Sequence, residues 1–271
     1  MIPQAHITAW RRFVPWSDDA QVEQDLILSR ATCELFLSSE LAGKIALRGG
    51  TALHKLVLAE SFRYSEDIDL VQTDAEAIGG ILDAVRGVLD PWLGKPVRKA
   101  GPGNSTLIYR FESEIQPVRP LRLKIEINTR EHFVLNELQL RALKVNNPWF
   151  SGSAEIVTFD NNELMATKLR ALYQRRKGRD LFDLWLCLDR KLVEPSQVVL
   201  GFLEYIKREG HSVSRAEFEA NLHGKESDDA FMSDIGPLLR PGIEYSSSIA
   251  MDRVRAEIIS LLPGEPWRGS V

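Results

Sequence analysis

The pattern of apolar residues changes once along this chain, near residue 158, and the change limits the folds open to it. Before that point, short apolar segments typical of strands alternate with segments whose apolar residues recur at the spacing of a helix. Asp160 and Glu163 fit the N-cap box of a helix, and after Asp160 only helical patterns occur, including those over 179–188, 195–208, 214–223 and 249–262. The sequence therefore predicts an α+β fold, with a mixed sheet-and-helix domain over 1–158 and an α-helical domain over 159–271 that completes its cleft.

The strands predicted in the first domain are short, and one of them has a clear two-residue period. They cover 44–48, 68–71, 106–112, 121–128 and 155–158, with helices over 20–42, from Thr51, and over 75–89 up to Pro91. In strand 121–128, apolar side chains alternate with Arg122, Lys124, Glu126 and Asn128. One face of that strand is therefore buried, and the other carries charge.

Composition excludes several classes of protein. The net charge is −4, so any contact with nucleic acid requires a local basic patch. No apolar run reaches the roughly 20 residues of a membrane helix, and the first residues lack the pattern of a signal peptide. Cys33 and Cys187 lie in apolar helical contexts, and the five histidines are scattered. We expect a soluble cytoplasmic protein with no membrane partner, disulfide or zinc site.

Asp67 and Asp69 are the first candidates for chemistry. Side chains two apart on a strand point to the same face, so these two carboxylates project together. Two carboxylates this close repel each other unless a positive charge lies between them, and Mg²⁺ (or Mn²⁺) prefers oxygen ligands. The alternative is a pair of solvated acids on an edge strand.

A glycine pair gives the second indication. Gly49 and Gly50 follow a strand, and Thr51 opens a helix. Glycines let the backbone approach a phosphate closely, and the amino terminus of a helix favours its charge. Lys55, one turn later, would add a cation to this nucleotide-binding turn. The alternative is an ordinary structural turn.

Glu126 is a third acid that a neighbouring strand can bring beside Asp67 and Asp69. Three carboxylates suit a pair of metal ions, one on the nucleotide triphosphate and one on the attacking hydroxyl. Alternatively, Glu126 pairs with Arg122 or Lys124 across the face of the sheet.

Four sequence blocks, in order, resemble the AbiEii/MenT family of nucleotidyltransferase toxins, which belongs to the DNA polymerase β-like superfamily. The blocks are Arg48–Lys55, Arg63–Leu70, Leu123–Asn128, and Lys168–Leu172 followed by Arg176–Leu184. The resemblance implies a polymerase β-like mixed sheet, an NTP substrate, a transfer RNA 3′ end as acceptor, a block of aminoacylation and translation, and a cognate antitoxin.

The resemblance also implies roles for individual residues. Ser65 and Asp67 match the catalytic serine and the first aspartate of the family, and Lys168 matches a lysine expected at the nucleotide phosphates. Asp183 matches a later essential acid, with Asp180 as the competing assignment. From the residues alone, Asp183 can equally form a surface pair with Arg179, four positions earlier on a helix.

A basic cluster follows Lys168, and it is the candidate RNA-binding patch. Its members are Arg175, Arg176, Lys177 and Arg179. Phosphate contacts from such a cluster would guide an acceptor end, although a solvated turn between helices is equally compatible.

The sequence predicts a Mg²⁺-dependent nucleotidyltransferase toxin acting on RNA. Two other functions stay open. One is nucleotidyl transfer to a small molecule or a protein hydroxyl, and the other is a non-catalytic protein that holds nucleotide or a partner.

Overall fold

A mixed seven-stranded sheet forms the centre of the first of two units. The computed structural model describes residues 2–269; the first unit ends at Phe159 and the second begins at Asp160. The strands are β1 (Ile45–Arg48), β2 (Asp67–Gln72), β3 (Val97–Gly101), β4 (Asn104–Glu112), β5 (Pro120–Asn128), β6 (Gln139–Asn147) and β7 (Phe150–Thr158). Their order across the sheet is β3-β4-β5-β2-β1-β7-β6. The strands β2 and β5 run parallel, as do β1 and β7, and the other neighbours are antiparallel.

The helices of the first unit cover parts of this sheet. They are α1 (Gln4–Trp10), α2 (Asp19–Leu37), α3 (Gly49–Ala52) and α4 (Gly79–Leu93), with a 3₁₀ turn at Arg11–Phe13 and a π-helical turn at Leu53–Val57. Strand β5 shows why the core forms: Leu123, Ile125 and Ile127 are each 0% exposed, and the residues between them are partly exposed. The alternation predicted for this strand is confirmed.

Every helix or strand described in the second unit is a helix. It contains α5 (Asn161–Gln174), α6 (Gly178–Asp189), α7 (Pro195–Arg208), α8 (Arg215–Glu226), α9 (Asp229–Ser233) and α10 (Ser247–Glu257), with 3₁₀ turns at Gly236–Leu238 and Ile259–Leu261. The predicted N-cap is confirmed, since the Asp160 carboxylate accepts hydrogen bonds from the backbone N–H groups of Asn162 and Glu163. The α+β class is therefore confirmed.

Two edge strands and helix α4 are among the elements that differ from the sequence prediction. All five residues of β3 are exposed, so it has no apolar alternation to reveal it, and β6 at the other edge was also missed. Helix α4 begins later than predicted and continues past Pro91, which was predicted to end it. Leu89 and Leu93 are buried one turn apart, and their packing outweighs the one hydrogen bond that proline cannot donate. The helix ends at Gly94, whose φ is +77°.

Both cysteines are buried and unbridged, as predicted. Within the described part of the chain, no helix is long and apolar enough to cross a membrane.

Candidate active site

The glycine turn between β1 and α3 makes room for two predicted site residues. Gly49 has a φ of +77°, which favours glycine. A Cβ added at Gly49 would lie 2.2 Å from Oδ2 of Asp69, and one at Gly50 would lie 3.0 Å from Oγ of Ser65 and 2.4 Å from Nη2 of Arg63. The turn therefore brings its backbone directly against Asp69 and Ser65, so the two glycines are required by these side chains.

Thr51 connects this turn to the strand that carries the aspartates. Its side chain is fully buried, and its hydroxyl donates a hydrogen bond of 2.6 Å to the backbone carbonyl of Asp67. The same oxygen lies 3.0 Å from Oγ of Ser65. These bonds fix the position of Ser65 next to the glycines. Thr51 therefore has a structural role, and its nucleotide-binding role stays a prediction.

Asp67 and Asp69 lie on β2, inside the sheet rather than at its edge. Asp67 is opposite Lys124 on β5, and Asp69 is opposite Glu126. On its other side, Asp69 is opposite Arg48 of β1. The parallel pairing of β2 with β5 thus places the three predicted metal ligands on neighbouring strands, and it places Lys124 in the same group.

Lys124 bridges two of the predicted metal ligands. Its Nζ is 2.8 Å from Oε2 of Glu126 and 3.3 Å from Oδ2 of Asp67. Of the two possibilities left open by the sequence, Glu126 therefore adopts the pairing with Lys124 in this structure. Within residues 2–269, no three acidic, histidine or cysteine side chains are grouped closely enough to hold a metal ion.

Burial and neighbouring charges together set the electrostatics of this group. Burial raises the pKa of Asp67, as does nearby Glu66, whereas Lys124 lowers it without fully compensating. Burial also opposes the charged form of Lys124, yet its pKa is raised, because Glu126 accepts its hydrogen bond and Asp67 and Asp69 lie nearby. The pKa shifts of Asp67 and Lys124 are consistent with each other. One ammonium near three carboxylates is stabilised by all of them, whereas each carboxylate has only a share of one ammonium.

Asp67 and Asp69 can supply two of the ligands of a divalent cation. The three carboxylates and the Lys124 ammonium carry −3 and +1, so together they carry a net charge of −2. Asp67 and Asp69 offer oxygen atoms from the same face of one strand, which is the ligand type that Mg²⁺ and Mn²⁺ prefer. A single divalent ion would balance the group.

Lys55 has a partner of its own. Its Nζ lies 3.0 and 2.9 Å from the two carboxylate oxygens of Asp25, which is 1% exposed. The indole N–H groups of Trp10 and Trp16 also donate to Asp25. Lys55 therefore neutralises a buried acid, and its predicted nucleotide-binding role would require this pair to open.

In the second unit, Lys168 lies between two buried aspartates. Its Nζ is 3.0 Å from Oδ1 of Asp180 and 2.9 Å from Oδ2 of Asp183, and both aspartates are 0% exposed. Arg175 adds two hydrogen bonds to Asp180, of 2.7 and 2.9 Å. Burial opposes ionisation of Asp180, but Lys168 and Arg175 outweigh it and lower its pKa. Both competing acids thus hold the lysine, and Asp180 also anchors Arg175.

The predicted RNA-binding cluster is partly neutralised by acids of its own unit. Arg175 pairs with Asp180, as described above. Arg176 lies 2.8 Å from Asp228, and Lys177 lies 3.4 Å from Asp234. The backbone N–H of Arg179 also donates to Asp234. The side chains of Arg175, Arg176 and Lys177 remain 46–62% exposed, so RNA phosphates would have to compete with these acids.

Comparison with known proteins identifies the family. The family model described as "Nucleotidyl transferase AbiEii toxin, Type IV TA system" matches residues 33–253. The chain belongs to the AbiEii nucleotidyltransferase toxin family. The resemblance seen in the four sequence blocks is confirmed.

The solved structure of MenT4 agrees with the AbiEii assignment at the level of the fold. MenT4, a nucleotidyltransferase toxin from Mycobacterium tuberculosis H37Rv, is 18% identical, and the match covers 96% of this chain and 90% of that chain with a TM-score of 0.66. A putative nucleotidyltransferase from H. pylori is 17% identical, and the match covers 92% and 100% with a TM-score of 0.49. No curated protein sequence matches the chain.

Two residues of the AbiEii site were not selected from the sequence. Lys124 was considered only as a partner for Glu126, because its position opposite Asp67 depends on a strand register that the sequence does not reveal. Arg63 is 2% exposed and lies against Gly50. Its sequence signal is its place at the start of the Arg63–Leu70 block.

Proposed function

We propose that this protein transfers a nucleoside monophosphate from an NTP to an RNA hydroxyl, with the 3′ end of transfer RNA as the acceptor. The observation that carries the proposal is the contact of the Gly49–Gly50 turn with Asp69 and Ser65. It puts a glycine turn, whose backbone can approach a ligand closely, directly beside Asp69, and Asp67 lies on the same face of β2. A phosphate cradle next to oxygen ligands for a divalent cation is what phosphoryl chemistry on a nucleotide requires.

The reaction forms one bond and breaks one. An oxygen of the acceptor hydroxyl attacks the α-phosphorus of the NTP, and the bond between this phosphorus and the oxygen bridging to the β-phosphate breaks. Pyrophosphate leaves, and the hydroxyl proton is released. The protein contributes by positioning the two reactants and by neutralising charge at the phosphorus.

Asp67 and Asp69 would hold Mg²⁺ or Mn²⁺, which when bound supplies positive charge at the phosphates. The backbone of Gly49 and Gly50 would approach the triphosphate, and the Ser65 hydroxyl, fixed by Thr51, would donate to it. Lys168, oriented by Asp180 and Asp183, is proposed to contact the phosphates as well.

The biological consequences follow from the acceptor. A transfer RNA with extra nucleotides at its 3′ end cannot be aminoacylated, so translation would stop. Membership of a toxin family supports a cognate antitoxin as partner. We place the reaction in the cytoplasm, where NTPs and transfer RNA are found. Exposed Arg176 and Lys177 are proposed to contact the RNA.

The test is to incubate the protein with total transfer RNA and each NTP, labelled at the α-phosphate. Label should appear in RNA with at least one nucleotide and should disappear with Asp67→Ala. Lys44→Ala, an exposed substitution on the residue before β1, is the matched control and should label normally. Label in protein or in a small molecule, with none in RNA, would replace the proposed acceptor. No transfer with any acceptor would reject the proposal.

A further inference from the structure

The Lys124 ammonium occupies the space between two of the acids at the candidate site. The strand register explains this position, because Lys124 is directly opposite Asp67 and shares its face of β5 with Glu126. The Lys124 side chain is 27% exposed and that of Asp67 is 26% exposed. The pair is therefore half-buried in the sheet face rather than a solvated surface contact.

A lysine in this position changes what Glu126 can do. Its Oε2 atom accepts a hydrogen bond from Lys124 at 2.8 Å. An ammonium between Asp67 and Glu126 repels a divalent cation that would bridge the same two carboxylates. With Lys124 paired to Glu126, a divalent ion would be held by Asp67 and Asp69.

We propose that Lys124 is a catalytic residue whose ammonium takes the place of a second metal ion, and that Glu126 is its anchor rather than a metal ligand. The inference rests on the proposed nucleotidyl transfer. In that reaction Lys124 neutralises charge on the α-phosphate as the acceptor oxygen bonds to phosphorus and pyrophosphate leaves. Glu126 keeps the lysine at Asp67, and it acts as a positioning residue.

The experiment measures Mn²⁺ binding by calorimetry without nucleotide, and turnover with labelled NTP and transfer RNA, in the same protein samples. Wild type should bind one Mn²⁺. Lys124→Met should bind Mn²⁺ about tenfold more tightly, because a positive charge that repels the metal ion is removed, while kcat falls at least ~100-fold. Lys124→Arg should keep the wild-type Mn²⁺ affinity and a larger share of kcat than Lys124→Met.

Glu126→Gln separates the two roles of the acid. If Glu126 anchors the lysine, this variant should lose about tenfold in kcat while its Mn²⁺ affinity stays close to that of wild type. Lys144→Met is the matched control, because it removes an exposed lysine from β6, at the far edge of the same sheet. It should leave both measurements unchanged.

Two results would overturn the inference while leaving the proposed function intact. One is a Glu126→Gln variant whose Mn²⁺ affinity falls by more than about 100-fold, beyond the loss that a residue which only positions a ligand causes. The other is a Lys124→Met variant with wild-type kcat. If wild type itself binds no Mn²⁺ and transfers no nucleotide, the proposed function fails, and this inference fails with it.

Discussion

Substituting Gly49 by alanine tests whether the turn is shaped by the carboxylate it contacts. The new Cβ would lie 2.2 Å from Oδ2 of Asp69, whereas real Cβ contacts essentially never fall below 3.0 Å. The carboxylate must therefore retreat by the difference, at least 0.8 Å. A displacement of about 1 Å at a reacting group costs on the order of 100-fold in rate. We expect kcat for nucleotide transfer to fall by about that factor.

Stability should change much less than activity. Oδ2 is the end of a side chain and can move, so the main cost is the left-handed backbone, roughly 1–2 kcal/mol for a residue with a Cβ. Gly43→Ala is the matched control, because Gly43 has a φ of +71° and no atom within 4 Å of its added Cβ. Urea unfolding should show similar losses for both variants, while only Gly49→Ala loses activity. Equal activities in the two variants would refute the reasoning.

Three further predictions concern buried lysines. Lys168→Met would leave two fully buried carboxylates without this cation, so unfolding in urea should show a loss of ~3–5 kcal/mol, whereas exposed Lys207→Met should change it by less than about 0.5 kcal/mol. Lys55→Met should also reduce stability, because it leaves Asp25 buried, but it should not alter KM for the NTP; a raised KM would show that Lys55 reaches the nucleotide. Burial lowers the pKa of Lys225 to about 8 from 10.5 in the unfolded chain. The folded state therefore disfavours the charged form of Lys225. This lowers the free energy of unfolding fully below pH 8, and the loss disappears towards pH 10.5. The unfolding free energy of wild type relative to Lys225→Met should therefore rise by about 2 kcal/mol between pH 7.5 and 9.5. A flat difference would contradict the burial of that charge.

Local patterns in the sequence predicted much of the fold. The alternation in β5, the N-cap at Asp160 and the purely helical second unit each depend on neighbouring residues, so short windows were sufficient. The edge strand β3 was missed because both of its faces are exposed, and exposure leaves no periodic apolar pattern.

The composition of the site was predicted more fully than its pairings. The two-residue period put Asp67 and Asp69 on one face, and the structure keeps them there. Which charges meet across strands depends on register and packing, which are long-range properties. For that reason the pairing of Lys124 with Asp67, and that of Lys55 with Asp25, emerged only from the structure.

The fate of the nucleotide's phosphates tests nucleotidyl transfer at Asp67 and Asp69 most directly. Parallel reactions with total transfer RNA would use the same NTP labelled either at the α-phosphate or at the γ-phosphate. We predict that only the α label enters RNA, that the γ label leaves in pyrophosphate, and that Asp67→Ala produces neither. Transfer of the γ label to the acceptor, or undiminished transfer by Asp67→Ala, would contradict the proposed reaction.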